Sequence, residues 1–256
     1  MNGWSFDRLR LDNKAVLIAG VGDLGRVIAR GMADAGALTV VADVSRSAAE
    51  STRKIIQKDG RVCYACKMDI GRSEEIDRAI QFVRKQYGKI DVAVNCVGIN
   101  IRKPSSQVKE SDWDPVLDIN LKGTFFFAQA AARAFIKQKT RGKIIVISSL
   151  LGLVGMEERA AYSASKAGLI NLVRTLAVEW ARDQIYVNAI APTFIPTALN
   201  RHTLMGNFRK KIIERTPLKR LGKPEDLVGT AVLLASDASD FLTGQTIVID
   251  GGWLSG

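Results

Sequence analysis

The chain has 256 residues, 47% of them hydrophobic and 25% charged, which suits a single globular domain with one large core. Lys and Arg outnumber Asp and Glu by 37 to 26, a formal net charge of +11, so nucleic acid has to be weighed as a partner. No apolar run approaches the roughly 20 residues of a membrane span, and a single histidine beside three cysteines makes a four-ligand zinc centre hard to assemble.

The opening stretch MNGWSFDRLRLDNK has no apolar segment of signal-peptide length, which predicts a cytoplasmic protein. KAVLIAG (14–20) reads as the first strand and runs into Gly20-Val21-Gly22-Asp23-Leu24-Gly25, after which helical spacing resumes over 24–35. Strand, Gly-x-Gly-x-x-Gly and helix form the setting of a dinucleotide fingerprint, in which glycines let the backbone approach a pyrophosphate at a helix N-terminus. The next strand, ALTVVAD (37–43), ends in Asp43, 18 residues past Gly25, where an acid can hydrogen-bond the adenine ribose. A helix is predicted over 46–59, then a strand VCYACKM (62–68) carrying Cys63 and Cys66. Residues three apart on a strand face opposite ways, so this CxxC reads as structural, not as a redox pair or metal site.

Helix 73–87, strand IDVAVN (90–95) and a long helix over 112–138 follow. Strand KIIVISS (143–149) ends at Ser149, thirteen residues before Tyr162. Tyr162 and Lys166 are four apart in the predicted helix 160–182 and share a face. A nearby ammonium stabilises a phenolate, so Lys166 is expected to lower the Tyr162 pKa and make it a usable acid/base for a secondary alcohol or its ketone. After strand IYVNAIA (185–191) the alternation lapses for about 30 residues, which suggests a lid near 193–222. From Arg201 to Lys223 eight basic residues meet one acid, Glu214. They read either as a solvated helix face or as a basic lid that draws in an anionic small molecule; no nucleic-acid motif accompanies them. Helix 224–236 and strand TIVID (246–250) close the chain. Seven strands rich in Val and Ile, alternating with helices, imply a doubly wound α/β domain with a parallel sheet and helices on both faces.

Together, the strand-end Ser149, the Tyr162–Lys166 pair and the upstream glycine loop resemble the short-chain dehydrogenases/reductases, and the likeness spans nearly the whole chain. It includes Asn120 in LDINLKGTFF, which that family uses to hold a water beside the lysine, and MDI, with Asp69 and Ile70 as adenine contacts. It also includes VNCVG, with Asn95, Val97 and Gly98, the stretch APTFIPT, with Pro192, Ile195 and Thr197, and the ending LTGQTIVIDGGW. In APTFIPT, Thr193 stands where the family has glycine, and Ile195 and Thr197 would approach the nicotinamide carboxamide.

The resemblance implies a single-domain Rossmann fold of seven parallel strands and a homotetramer packed through helices 112–138 and 160–182. It also implies a catalytic set of Asn120, Ser149, Tyr162 and Lys166, the last two also touching the cofactor. Hydride would pass between nicotinamide and substrate carbon while Tyr162 moves the proton. Against the family pattern the glycine loop starts with Ala19 and is one residue shorter, which puts Asp23 at the middle glycine. Asp23 and Asp43 together favour NAD over NADP, while Arg46 nearby pulls the other way.

NIRKPSSQVKESDWDPVLDINLKG, SSLLGLVG and DGGWLSG resemble the gluconate 5-dehydrogenase and 2-deoxygluconate dehydrogenase branch, which implies a sugar acid or polyol as substrate. Arg102, with Lys103 beside it, and Arg159 are the candidate receptors for its carboxylate. The alternatives are a 3-oxoacyl-(acyl carrier protein) reductase and a non-catalytic NAD-binding or nucleic-acid-associated protein. The intact Ser149, Tyr162, Lys166 and Asn120 set speaks against the last of these.

Overall fold

The computed structural model describes residues 5–198 and 200–256. The first four residues of the opening stretch, and Leu199 within the 193–222 segment, lie outside the described residues. Seven parallel strands form one sheet in the order β3-β2-β1-β4-β5-β6-β7. They are β1 (Ala15–Ala19), β2 (Leu38–Asp43), β3 (Cys63–Lys67), β4 (Val92–Asn95), β5 (Gly142–Ile147), β6 (Ile185–Pro192) and β7 (Thr246–Ile249). All seven predicted strands are present, each within a few residues of its expected span.

Two-residue alternation along the strands divides the core into two apolar layers. Leu17 and Val40 join Phe127, Phe135 and Leu169 on one face, with helices α3 (Ser73–Tyr87), α5 (Gly123–Gln138) and α6 (Ala160–Trp180). Val16, Ile18 and Val41 join Ile28, Met32, Ile56 and Leu234 on the other, with α1 (Asp23–Asp34), α2 (Arg46–Lys58) and α8 (Val228–Ala235). Cys63 belongs to the second layer and Cys66 packs against the first, and both are free thiols. Among the described residues no helix is long and apolar enough to cross a membrane.

The long helix expected over 112–138 is two helices. α4 (Glu110–Leu117) carries Pro115 and passes into a π-helical turn, Asp118–Lys122, before α5. The Gly123 N–H reaches back five residues to the Asp118 carbonyl, and the Thr124 hydroxyl caps the Asn120 carbonyl at 2.6 Å. Periodicity could not reveal this, because one extra residue in a turn leaves the apolar pattern on either side intact. The turn drives Asn120 fully inside.

Strand order reverses between β1 and β4, so the connections leaving their carboxyl ends diverge and open a crevice. The glycine loop lines it. Gly20 has a left-handed backbone, φ +81°, and a Cβ on Gly25 would stand 1.8 Å from the Gly20 carbonyl oxygen. At Gly22 a Cβ would meet nothing within 4 Å. Gly25→Ala is therefore expected to cost about 3 kcal/mol, since backbone cannot yield, or roughly 5–10 °C in thermal midpoint. Gly22→Ala, at the N-cap where glycine is preferred to alanine, should cost less, about 0.5–1 kcal/mol. Thermal unfolding of the two cofactor-free variants checks this, and equal midpoints would overturn it.

Candidate active site

Ser149 leaves the end of β5 and caps a short 3-10 turn, Leu150–Gly152, its hydroxyl accepting from the Leu151 N–H at 3.1 Å. α6 begins just beyond that loop and carries Tyr162 and Lys166 on one face. The Ser149 hydroxyl is close enough to Tyr162 to favour its phenolate. The Lys166 Nζ donates to the Ile147 carbonyl at 2.8 Å and lies 5.6 Å from the Tyr162 ring centroid. A Cβ at Gly98 would come within 3.3 Å of that ammonium, so glycine there leaves it room.

These side chains share the wall of one cavity of about 490 Å³. Gly22, Asp23, Leu24 and Asp43 line its other end, and Gly98, Arg159, Pro192, Ile195 and Thr197 lie between or above. α1 has no side-chain cap at Gly22, so its first amides are left for a ligand. The Asp43 carboxylate accepts from the N–H groups of Val21 and Ser45, both at 2.9 Å, and so braces the glycine loop from the next strand.

Other expected site residues do not line the cavity. Gly20 and Gly25 shape the loop by close packing. Asn95 is buried, donating to the Thr124 hydroxyl at 2.8 Å and accepting from the Val97 N–H at 2.9 Å. Val97 packs against Gly20. Asn120 is clamped to the Ile99 backbone by a donated and an accepted bond of 2.9 and 2.8 Å, and donates to the Ser165 hydroxyl. Its side chain thus holds the loop after β4 in place. Asp69 accepts from the Gly71 N–H at 2.9 Å, and Ile70 is buried in the core.

Two expectations need correction, and the solvated-face reading of the 201–223 cations holds. Arg102 does not line the cavity; it forms an ion pair with Glu158 at 2.8 Å, and Lys103 pairs with Asp112 at 2.6 Å. The eight cations of the 201–223 segment are all exposed and none lines the cavity. Arg215 stacks on the Trp253 ring, and Arg220 pairs with Asp226 at 2.6 Å. Finally, the Tyr162 pKa is raised, because burial of the phenol outweighs the hydrogen bond from Ser149 and the charge of Arg159. Lys166 does not reverse this; its Nζ is held on the Ile147 carbonyl, 5.6 Å from the ring centroid.

The cavity also has walls that no motif announced. Arg26, one residue beyond Gly25, lines the same cavity and has a buried Nε with no partner among the described residues. Leu204 and Phe208 cover the other end; Phe208 meets Phe194 edge-on at 6.1 Å, in α7 (Gly206–Arg215). The Asp23 carboxylate accepts from the Ala198 N–H at 2.5 Å, tying the glycine loop to the segment after β6. Only the small apolar spacing within the basic 201–223 stretch could have hinted at these walls. Among the described residues no cluster of His, Cys, Asp or Glu could hold a metal ion.

The family described as Enoyl-(Acyl carrier protein) reductase matches residues 20–254. The chain is 38% identical to 2-dehydro-3-deoxy-D-gluconate 5-dehydrogenase of Dickeya dadantii, covering 96% of this chain and 97% of that protein. It is 36% identical to a 3-oxoacyl-[acyl-carrier-protein] reductase of Thermotoga maritima, over 95% of this chain and 99% of the other. The crystal structure of a gluconate 5-dehydrogenase from Burkholderia cenocepacia, in complex with NADP and tartrate, superimposes with a TM-score of 0.93. The two are 36% identical, and 98% of each chain is covered.

Lys166 is buried as an ammonium without a carboxylate, and that burial pushes its pKa down to about 8. Between that value and the ordinary 10.5 the unfolded chain binds more protons than the folded one, so stability from this group rises with pH. Below about pH 8 the whole cost of the buried charge is present. Lys166→Met should therefore raise the thermal midpoint of the cofactor-free protein at pH 7, by about 1–2 kcal/mol after loss of the Ile147 bond. The gain should shrink toward pH 10. Calorimetric scans at both pH values check the sign; a variant less stable than wild type at pH 7 would contradict it.

Proposed function

We propose that this chain, which belongs to the short-chain dehydrogenase/reductase family, is an NAD-dependent oxidoreductase that interconverts a secondary alcohol and a ketone on a sugar acid. The observation that carries the reading is the single cavity that joins Ser149, Tyr162 and Lys166 to the glycine loop and Asp43. A dinucleotide fits the chain's own residues. Gly22 opens onto free space where another residue would place a side chain, and α1 starts there without a cap. In this reading Gly22, Asp23 and Leu24 hold the diphosphate and Asp43 the adenine ribose, with Pro192, Ile195 and Thr197 beside the nicotinamide. Bound there, the nicotinamide supplies the hydride acceptor or donor.

The chain's own residues then manage the proton and the oxygen. Ser149 hydrogen-bonds the substrate oxygen, and Tyr162 gives or takes its proton. Because burial raises the Tyr162 pKa, the phenol is protonated at neutral pH and ready to donate to a ketone. Lys166 supplies positive charge that favours the phenolate once the proton has left. Asn120 is a positioning residue, holding Ile99 and the loop beside Lys166. The 193–222 segment acts as the lid, latched through Asp23 and Ala198. Leu117, Leu121, Phe125 and Leu172 line an open apolar groove between α4, α5 and α6, which supports a homotetramer packed through these helices.

NAD is preferred over NADP because Asp43 would face a 2′-phosphate with like charge. Sugar-acid chemistry takes support from the gluconate-type relatives. A 3-oxoacyl-(acyl carrier protein) reductase is the second reading, favoured by the Thermotoga relative. A nicotinamide-coupled screen of aldonates, deoxyaldonates, polyols and hydroxyacyl thioesters separates the two; turnover of thioesters alone would reject the sugar-acid reading. Tyr162→Phe should lower kcat at least about 10³-fold while dinucleotide affinity, read by fluorescence titration, is kept. Retained turnover would reject Tyr162 as the acid/base. Asp43→Asn keeps one acceptor for the loop and removes the charge, so the NAD to NADP ratio of kcat/KM should fall about tenfold or more. An unchanged ratio would reject Asp43 as the discriminating residue.

A further inference from the structure

Arg159 is only 6% exposed, yet it forms part of the wall of the main cavity. The one hydrogen bond of its guanidinium among the described residues runs from Nη1 to the carbonyl of Glu158 at 3.3 Å. Among the described residues no carboxylate forms an ion pair with it, whereas the neighbouring Arg102 has one in Glu158. A buried guanidinium with no ion-paired carboxylate is costly, and burial together with Arg102 pushes this one down to about 10, although Glu158 and Tyr162 pull the other way. The sequence holds a carboxylate one residue away and the fold directs it elsewhere. Glu158 has a left-handed backbone, φ +60°, and its side chain, 39% exposed, is tied outward to Arg102. The Glu158 carbonyl is fixed in turn by the Lys103 N–H.

Position adds to this. Arg159 is the N-cap of α6, and residues 159, 162 and 166 follow the i, i+3, i+7 spacing of one helix face. The Arg159 carbonyl is already committed to the Ser163 N–H at 2.7 Å, so the residue is anchored at the backbone while its guanidinium keeps one bond to a carbonyl. The same cavity is lined by the apolar side chains of Leu151, Leu204 and Phe208, and a charge-assisted hydrogen bond is strong where water is excluded.

We infer that Arg159 is the receptor for the substrate's carboxylate, that it selects hydroxy and keto acids over neutral polyols and ketoses, and that the Arg102–Glu158 pair keeps the chain's own carboxylate out of that role. This rests on the sugar-acid reading above and names the side chain that selects for the acid. Arg102 and Lys103 are thereby braces for the loop, not ligands.

The test uses the full-length enzyme with D-gluconate and D-glucitol, which differ only in carrying a carboxylate or a hydroxymethyl group at C1. Two quantities are measured: the ratio of kcat/KM for the pair, and calorimetric binding of each to the enzyme–NADH complex. Wild type should bind gluconate at least about tenfold more tightly than glucitol. Arg159→Gln should lower the gluconate to glucitol ratio about 100-fold or more, as when one partner of a buried charge pair is removed. The loss should fall mainly on KM, and Arg159→Lys should restore part of it. Equal binding of the two ligands by wild type, or equal losses for both in Arg159→Gln, would overturn the inference. If Arg159→Gln does not fold, the wild-type preference and the Arg159→Lys ratio decide. Gluconate binding that depends on Arg159 without any turnover would sink the oxidoreductase reading and leave the receptor standing. Turnover of both compounds without preference would do the reverse.

Discussion

The site depends on one buried ammonium. Lys166 is almost fully enclosed, and its Nζ is tied to the carbonyl of Ile147 at the end of β5. That bond joins α6 to the sheet at the strand end where Ser149 emerges. Neighbouring features can be read as accommodations to it. Gly98 leaves space above the ammonium, and Asn120 fixes the loop that carries Gly98. The π-helical turn is what brings Asn120 inward to do so. A helix without that turn would carry Asn120 round to a different face, since one added residue shifts a helix face by about 100°. The fold thus accepts an unpaired charge and an irregular helix in the same place, which is where stability is commonly conceded to function.

Much of this was legible in the sequence, for a physical reason. Strands of continuous Val and Ile can be satisfied only by a sheet buried on both faces, so the seven strands, their direction and the crevice followed from pattern alone. The glycine loop, Asp43, Ser149, Tyr162 and Lys166 were legible because each sits at the end of a regular element, where spacing fixes direction. Asp69 and Asn95 lie in motifs that served equally well to predict ligand contacts, but their polar atoms are taken up by nearby backbone and side-chain groups. A motif identifies a residue; it does not say which partner claims its hydrogen bonds.

Charge was the least legible property. A run of eight cations after β6 invited a role in receiving an anion, but a composition count cannot tell an exposed cation from a buried one. Those cations all face solvent or pair locally, whereas the decisive arginine stands alone just before α6. Arg102 and Arg159 could not be separated by sequence, because the separation rests on the left-handed backbone at Glu158. The same limit applied to Tyr162. Its proximity to Lys166 was correctly inferred, but the sign of its pKa shift was not, because desolvation depends on packing that no spacing encodes.

The two ends of the cavity differ in how their charges are satisfied, and that difference orders what can bind where. At the glycine-loop end, Asp43 accepts from Val21 and Ser45, and Asp23 from Ala198. These carboxylates are already engaged by backbone amides, which fixes where they point within the loop. Arg26 stands on the α1 side, with an orphaned Nε that suits a phosphate oxygen. On α6 the situation is inverted, since Arg159 and Lys166 are buried cations with no carboxylate of their own. A substrate with an anion at one extremity and neutral hydroxyls elsewhere is complementary to the buried cations of α6 in one orientation only. The cavity therefore selects orientation as well as identity, and it does so by withholding a partner from two cations while supplying one to each acid.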